Sequence, residues 1–386
     1  MNNKILILTS IKPDPINSGG HPSGLIWEII KIFKENNINI EIFIEEESTN
    51  KFYRVFHRYG IYLKKVNIDF NNYEKIIVYP ENLAFGVPKI FREKITVLGP
   101  DSPSLRDARI YKEMKKNNIS ILETWIKGIY YNISKYHEYR LLKQIESFLV
   151  VGKTDKFWMK KNPYIINNLS LKEKIKFLRH PILSRVVKGN LEKENIEKKR
   201  FIFSGDLNYK FNNRFITDIV NELEKFDNIS DEKFLNIVVV GKKNKWIVDL
   251  FRNIKICNVN YIEWIEDYNS VCVIGQDVHC LPLLVGAGTK NRALTAIANG
   301  LEIITTPIGI ENIMYKNLTS IYITKNAKLF AKYMIKLNNC FFNESDLNNL
   351  IKERKVFRKN VEAEYKRVLI YEVMKDFFYF SNNLKR

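Results

Sequence analysis

The sequence predicts an α/β protein with two parallel-sheet domains that face each other across a cleft. Short apolar runs, typical of buried parallel strands, alternate with stretches of helical periodicity. This alternation stops at a polar, Lys/Glu-rich stretch, 188–200, and then begins again. The length of 386 residues and the hydrophobic content of 45% are enough for two cores. We therefore expect domains at 1–184 and 185–359, with a C-terminal helix, 360–386, as the candidate to return to and complete the first.

The N-terminal half opens with a βαβ unit. A strand, "KILILTS", is followed by a Gly- and Pro-rich loop, an amphipathic helix from Leu25 and a second strand, "INIEIFI". Further strands are predicted at 75–80, 94–101, 147–155 and 175–183, and helical structure fills the basic, aromatic stretch from Ser104 to Ile145.

The C-terminal half repeats the alternation. Strands are predicted at 200–206, 235–243, 259–265, 277–283 and 301–313, and helices at 212–226, 244–251 and 288–300. A long helical tail from Asp346 to Phe380 follows. These elements predict a second doubly wound sheet.

The net charge favours certain classes of partner, and the cysteine spacing argues against a zinc or redox motif. The formal charge of +19 favours an anionic partner, and the three candidate classes are nucleic acid, an anionic membrane and a phosphate-bearing substrate. A solvated lysine-rich surface explains the charge equally well. The four cysteines form no C-x-x-C pair, so a zinc or redox motif is not predicted. Without an apolar run long enough for a signal peptide or a membrane span, we expect a cytoplasmic protein, and a peripheral position at the inner face of the cell membrane stays open.

The stretch "GAGTKNRALTAIANG", 286–300, carries the clearest functional signal. It places a glycine-rich loop between a buried strand and a helix start, where bare backbone and unpaired N–H groups suit a diphosphate. Lys290 and Arg292 add positive charge. A plain tight turn into a core helix is the alternative, and the pattern is neither a Walker loop nor G-x-G-x-x-G.

This stretch and the following "LEIITTPIGIEN" resemble the donor-binding segment of family-4-type, GT-B-fold glycosyltransferases (glycosyl transferases group 1). Weaker similarities follow in the family's order: "FIFSGDLNYKFNNRF", "IVVVGKK", "VNYIEWIEDY", "GPDSPSLRDAR" and "EYRLLKQIESFLVVGKTD". The resemblance covers about residues 4 to 312. It implies GT-B architecture and a nucleotide-sugar-dependent transferase, with the donor on the C-terminal domain and the acceptor on the N-terminal one.

The resemblance also implies site residues. The donor-binding candidates are Gly205, Lys210, Lys242, Tyr261, Ile262, Glu263, Gly286, Ala287, Gly288, Thr289, Lys290, Arg292 and Thr295. Thr295 departs from the family, which commonly has there a glutamate that holds the donor's ribose. A carboxylate accepts charge-assisted hydrogen bonds of about 1.5–3 kcal/mol each, so the loss bears on donor identity and on activity itself. Glu311 and Glu302 are the substitutes we consider.

The N-terminal domain offers few catalytic candidates, of which Asp101 and His21 are the main ones. Asp101 follows a predicted strand, and a helix-cap role is its alternative. His21 lies in the loop with Gly19 and Gly20, which resembles an acceptor-side glycine loop, and a surface histidine is its alternative. Arg179 and His180 are acceptor-side candidates near the hinge.

We expect metal-independent transfer and no cofactor, because no D-x-D pair or metal-ligand cluster is evident. The resemblance favours a retaining reaction in which the departing phosphate acts as base; an inverting one needs an Asp, Glu or His. Basic and aromatic residues between 105 and 145 suit docking on an anionic membrane. Such a membrane would hold a lipid-linked glycan acceptor for surface polysaccharide synthesis. A solvated helix face is the alternative explanation of these residues. The rivals are a non-catalytic glycosyltransferase-like binding subunit, a nucleotide-sugar epimerase of similar fold and, without a recognition motif, a nucleic-acid-binding protein.

Overall fold

A computed structural model describes residues 4–14, 22–45, 66–99, 101–182, 199–208, 210–226, 234–265, 268–316, 318–340 and 344–371. It contains two six-stranded sheets, ordered β2-β1-β3-β4-β5-β6 and β12-β11-β10-β7-β8-β9. Every described strand pair in both sheets is parallel. The predicted fold class is thus confirmed.

The N-terminal sheet contains β1 to β6. Its strands are β1 Lys4–Thr9, β2 Asn39–Ile44, β3 Lys75–Tyr79, β4 Ile95–Gly99, β5 Ser147–Val150 and β6 Ile175–Phe177. Its helices are α1 Pro22–Glu35, α2 Pro103–Lys116, α3 Ile121–Leu142, α4 Lys153–Lys160 and α5 Leu169–Lys174. The predicted strand 175–183 is shorter than expected: it ends at Phe177, and soon after it Arg179 turns to bind Glu364 of the last helix.

The C-terminal sheet contains β7 to β12. Its strands are β7 Arg200–Phe203, β8 Leu235–Val240, β9 Cys257–Ile262, β10 Asp277–Leu281, β11 Glu302–Thr305 and β12 Ile321–Ile323. Its helices are α6 Lys210–Glu224, α7 Lys245–Arg252, α8 Asn291–Ala298, α9 Ala327–Asn339 and α10 Glu344–Leu369. The sequence analysis did not predict β12 or α9.

The last helix, α10, connects the two halves. Leu350, Phe357 and Val361 pack in a core cluster with α8 and β11 of the C-terminal sheet. One and two turns further on, Tyr365 and Leu369 pack in a cluster with β1 and α1 of the N-terminal sheet. The predicted return of the C-terminal helix is confirmed up to Leu369, whereas residues 372–386 lie outside the description, as does the predicted boundary near residue 184.

Both sheets point the carboxyl ends of their strands toward the space between the domains. Tyr79, at the end of β3, and Val151, after β5, line the same cavity as Gly288, which follows β10. Ligands of doubly wound sheets bind at these ends. The fold therefore brings the loops that the sequence analysis singled out to one place.

Candidate functional site

The glycine loop after β10 has the backbone that its composition predicts. Gly286 and Gly288 have φ angles of 142° and 65°, in the region that favours glycine. A Cβ on Gly286 would lie 2.8 Å from Cε of Lys290, so a side chain there would displace the lysine. The loop thus depends on its glycines for both conformation and space.

Lys290 folds back onto this loop. Its Nζ donates to the carbonyl oxygens of Ala287 at 2.6 Å and Gly288 at 3.1 Å. Burial lowers its pKa, and the carboxylates of Asp101, Glu311 and Asp155 oppose that effect. In this arrangement Lys290 stabilises the loop from within, and the predicted phosphate contact would require it to turn outward.

The backbone N–H group of Gly288 is hydrogen-bonded to a carboxylate of the N-terminal domain, that of Asp155. This N–H donates to both oxygens of Asp155, at 3.0 and 3.1 Å. Asp155 lies in the first turn of α4 and is fully buried, and the Ser102 N–H donates to it at 2.8 Å. Burial raises the pKa of Asp155, and the two backbone hydrogen bonds oppose the rise. The Gly288 N–H thus already donates to a side-chain carboxylate, and the binding of a donor's diphosphate at this loop stays a prediction.

Further hydrogen bonds close the loop against the N-terminal domain. The Thr289 hydroxyl donates to the carbonyl of Val151 at 2.5 Å. Asn312 donates through Nδ2 to the Gly288 carbonyl at 3.0 Å and accepts from the Thr154 N–H at 3.0 Å. The structure therefore shows the two domains in contact across the glycine loop.

An ion pair reinforces this closed arrangement. Arg109 of α2 donates to both carboxylate oxygens of Glu311 at 2.7 Å and to the Gly286 carbonyl at 2.6 Å. Both side chains are less than one fifth exposed, so solvent screens the pair weakly. The sequence analysis counted Arg109 with a basic, membrane-suited region and Glu311 as a substitute ribose ligand, and the structure instead pairs them across the cleft.

A cavity of about 190 Å³ lies beside the loop. Five predicted residues meet there: Asp101, His180, Ala287, Gly288 and Thr289. Asp101 follows β4 and His180 follows β6, so the segments after two N-terminal strands bring two polar groups next to the glycine loop. The cavity thus unites the predicted catalytic and donor-binding sides.

His180 enters this cavity as a neutral ring. Burial lowers its pKa to about 4, against a hydrogen bond with the Pro181 carbonyl that raises it. A carbonyl oxygen only accepts, so the 2.8 Å contact requires a proton on Nδ1 and leaves the lone pair on Nε2. At neutral pH His180 can therefore accept a hydrogen bond from a hydroxyl without carrying charge.

The other donor-side candidates lie at the carboxyl ends of β7, β8 and β9. Gly205, with a φ angle of 98°, lies beside Arg292: a Cβ on the glycine would be 3.8 Å from the arginine Cγ. Lys242 forms an exposed ion pair with Glu263 at 3.7 Å. Tyr261 and Ile262 end β9, and the Ile262 carbonyl accepts from Gly241 at 2.9 Å. These residues do not line the cavity beside the glycine loop.

Of the remaining candidate residues, the structure gives positions for some, whereas others lie outside the described residues. Thr295 lies on α8, half-buried, one to two turns beyond the glycine loop. Arg179 is buried and binds Glu364 of α10 and, at 2.5 Å, the Asn312 carbonyl, so it braces the interdomain contact. Glu302 pairs with Lys199. Lys210 begins α6 with an undescribed side chain, and Gly19, Gly20 and His21 lie outside the described residues.

The sequence analysis missed Asp155 and Asn312. Asp155 is the last residue of the predicted strand 147–155, just as Asp101 is the last residue of the predicted strand 94–101, and in the structure it lies in the first turn of α4. The same signal, an acidic residue at the end of a predicted strand, could have found it.

Comparisons with known proteins agree with this geometry. Residues 198–339, which contain β7 to β12 and the glycine loop, match the family model described as glycosyl transferases group 1. No curated protein sequence matches significantly.

Solved structures match over the whole chain. Sucrose-phosphate synthase from Thermosynechococcus elongatus is 10% identical with a TM-score of 0.65, covering 97% of this chain and 99% of that one. WaaG, a glycosyltransferase involved in lipopolysaccharide biosynthesis, is 9% identical with a TM-score of 0.57 (96% and 99% covered). Anabaena Alr3699/HepE in complex with UDP and glucose is 9% identical with a TM-score of 0.53 (97% and 99% covered).

This chain has the GT-B fold. The predicted resemblance to group 1 glycosyltransferases is confirmed over residues 198–339, and the solved structures add the fold. None of the described helices of this GT-B chain is both long and apolar enough to span a bilayer.

Proposed function

We propose that the chain transfers a sugar from a nucleotide-sugar donor to a glycan acceptor. The observation that carries the proposal is the cavity in which the glycine loop of the group 1 match meets Asp101 and His180. Donor and acceptor loops must meet within reach of one reacting bond, and this cavity is where the described loops do so. A lipid-linked acceptor in surface glycan synthesis fits the strongly basic chain, and WaaG, of the same fold, is involved in lipopolysaccharide biosynthesis.

The proposed chemistry uses charge and backbone dipoles on the donor side. The Gly288 N–H and the N-terminus of α8 would hold the leaving diphosphate, with Lys290 and Arg292 as the cations at the helix start. Asp101, in the same cavity, would accept the hydrogen bond of the attacking hydroxyl and receive its proton, while His180 accepts a hydrogen bond through Nε2 from a neighbouring hydroxyl of the acceptor. In a retaining reaction the departing phosphate takes that proton instead. The proposal includes neither a resident cofactor nor a resident metal.

Donor binding in this scheme requires the domains to separate at the glycine loop. Asp155 accepts from the N–H group that the diphosphate would use, and the two anions cannot occupy it together. The structure is therefore a closed, donor-excluding arrangement of the proposed enzyme.

The first test is a thermal-shift screen of the purified chain with UDP, GDP, dTDP and CMP and their sugar conjugates. A ligand that binds only the native state raises the melting temperature by mass action. The HepE complex with UDP makes uridine nucleotides the first class to examine. A cooperative melt that no nucleotide shifts would contradict the proposal.

One observation favours a second candidate, a non-catalytic binding subunit. Thr295 stands where the family's glutamate would hold the ribose, and the described glutamates considered as substitutes, Glu302 and Glu311, are paired with Lys199 and Arg109. This candidate predicts nucleotide-sugar binding without release of nucleoside diphosphate in the presence of any acceptor, whereas the enzyme releases it.

A further inference from the structure

The solvent-facing side of α3 is apolar over its first turns. Ile121, Leu122, Trp125, Ile126 and Ile129 are exposed, with Ile121 at 91% and Trp125 at 65% of their full surface. Their spacing of one, three and four residues places them on one face of the helix. The acidic residues of α3 are Glu123 and Glu138, and Glu138 is buried. A surface helix normally presents charge to water, so this face lacks its usual composition.

The apolar surface continues along the helix and beyond it. Tyr136, two turns past Ile129, is half exposed and its ring packs edge-on against Tyr164 at 5.8 Å. Ile166 and Leu169, shortly after Tyr164, are exposed as well. From Ile121 to Tyr136 the helix rises roughly 22 Å. We call the surface formed by Ile121, Leu122, Trp125, Ile126, Ile129, Tyr136, Tyr164, Ile166 and Leu169 the apolar face.

Lysines of α3 and at the end of α4 lie over aromatic rings of the same two helices. Lys127 and Lys135 lie over Tyr130 and Tyr131, at 5.3 and 4.2 Å from the ring centres. Lys161 lies 4.1 Å over the ring of Phe157, which is itself exposed. In each pair the ammonium nitrogen itself lies over the ring, which is a cation–π contact. Aromatic rings and lysines that occur together are typical of side chains at a lipid–water interface.

A second group of lysines lies on α4 and α5. Burial lowers the pKa of Lys160, and repulsion from Lys156 and Lys172 lowers it further, against attraction from Glu173. Positive charges thus crowd together beside the apolar face, an arrangement that an anionic surface would relieve.

The apolar face begins at the edge of the cleft. Ile119, two residues before α3, packs in a cluster with Met114 of α2 and with Phe211 and Val285 of the C-terminal domain. A bilayer against Ile121 and Leu122 would therefore lie next to the opening between the domains. A lipid-linked acceptor could then enter the cleft without leaving the membrane.

We propose that the apolar face of α3 docks on an anionic lipid bilayer, with Trp125 and its isoleucine and leucine neighbours inserted among the acyl chains and the lysines of α4 and α5 on the headgroups. The inference deepens the proposed function, since it rests on a lipid-linked acceptor, but docking itself requires neither donor nor turnover. Apolar insertion combined with lysine contacts is the physics of interfacial helices.

The test is cosedimentation of the full chain with vesicles of phosphatidylcholine, alone or mixed with phosphatidylglycerol. We expect binding to the mixed vesicles, weakened by salt. Leu122→Ser/Trp125→Ser should weaken it by roughly a hundredfold, since each large apolar side chain contributes about tenfold or more. Ile121→Ser should weaken it by about tenfold, whereas the matched control Ile90→Ser, at a 75% exposed isoleucine before β4, should not.

Three results would overturn the docking proposal: no binding of the parent chain to either vesicle, equal binding by all variants, or a parent chain that sediments as a dimer which Leu122→Ser/Trp125→Ser dissociates. The last would make the apolar face an interface between two copies. Nucleotide-induced thermal shifts of the same variants keep the two proposals separate. A variant that no longer binds vesicles but keeps its nucleotide-induced thermal shift has lost docking alone. A parent chain that binds vesicles but shows no nucleotide-induced thermal shift would contradict the proposed transferase and leave docking intact.

Discussion

Substituting Asp155 by asparagine tests whether the glycine loop is the donor's anion site. The carboxylate accepts hydrogen bonds from Gly288 N–H, Ser102 N–H and, at 3.4 Å, Asn312 Nδ2. The amide oxygen of Asp155→Asn would take the place of Oδ1, which accepts from Ser102 N–H and Gly288 N–H, and its NH2 group would replace Oδ2 opposite Gly288 N–H and Asn312 Nδ2. The change therefore removes the anion from Gly288 with little change of volume.

The expected effect follows from these contacts. A hydrogen bond to a charged group contributes about 1.5–3 kcal/mol, so loss of one such bond lowers the ratio of closed to open arrangement by roughly tenfold to a hundredfold. If the donor binds only the open arrangement, its apparent affinity rises by up to the same factor. The melting temperature without ligand should fall, because the closed interface has lost a contact.

The assay is a calorimetric titration with the nucleotide that shifts the parent protein most. Asp107→Asn is the matched control: Asp107 is a buried aspartate of α2 that accepts from the Ser134 hydroxyl at 2.5 Å and makes no described contact with the glycine loop. It should lower the melting temperature and leave nucleotide affinity unchanged. A folded Asp155→Asn protein with unchanged or weaker nucleotide affinity would refute the assignment of Gly288 to the donor.

Three further predictions concern single residues. Gly288→Asp places a second carboxylate at a backbone that aspartate tolerates better than most residues, so a folded variant should lose its nucleotide-induced thermal shift; a retained shift would argue against a phosphate site. Thr295→Glu should raise nucleotide affinity by roughly tenfold if the ribose lies where the family places it, as one added charge-assisted bond implies, and a fall in calorimetric affinity would indicate another donor pose. Burial raises the pKa of Glu138 to about 7 from an ordinary 4.5, so its contribution to stability is fully present below 4.5 and is lost as pH rises through 7. The free energy of unfolding of the parent, measured in urea, should therefore fall by up to about 1.4 kcal/mol per pH unit between pH 4.5 and 7, and Glu138→Gln should lack this slope. Equal slopes in both proteins would contradict the prediction.

The sequence predicted those parts of the site that depend on local pattern. The glycine loop, its strand β10 and the helix start at Asn291 follow one another within a few residues, and each has a compositional signature. The fold followed from the same rhythm of strands and helices. Neither required knowledge of which distant residues touch.

The closed interface was not predictable in this way. Asp155 and Gly288 are 133 residues apart in the chain, and Arg109 and Glu311 are 202 apart. Arg109 lies in a helix rich in lysine and arginine, and nothing in its neighbours distinguishes an arginine that pairs across a cleft from one that faces solvent. Only the packing of two domains makes that difference.

The described contacts place the two proposed surfaces at opposite ends of one hydrogen-bonded network. Glu138, on the buried side of α3, accepts from the Ser102 hydroxyl at 2.7 Å, and the Ser102 N–H donates to Asp155, which accepts from Gly288. The helix with the apolar face is thus three contacts from the loop proposed to hold the donor. Buried polar groups must keep their hydrogen-bond partners. When α3 shifts against a bilayer, either Ser102 adjusts to keep its bond to Glu138, or Ser102 moves with α3 and displaces Asp155. The second course would loosen the carboxylate that closes the glycine loop, which would link arrival at the membrane to opening of the donor site.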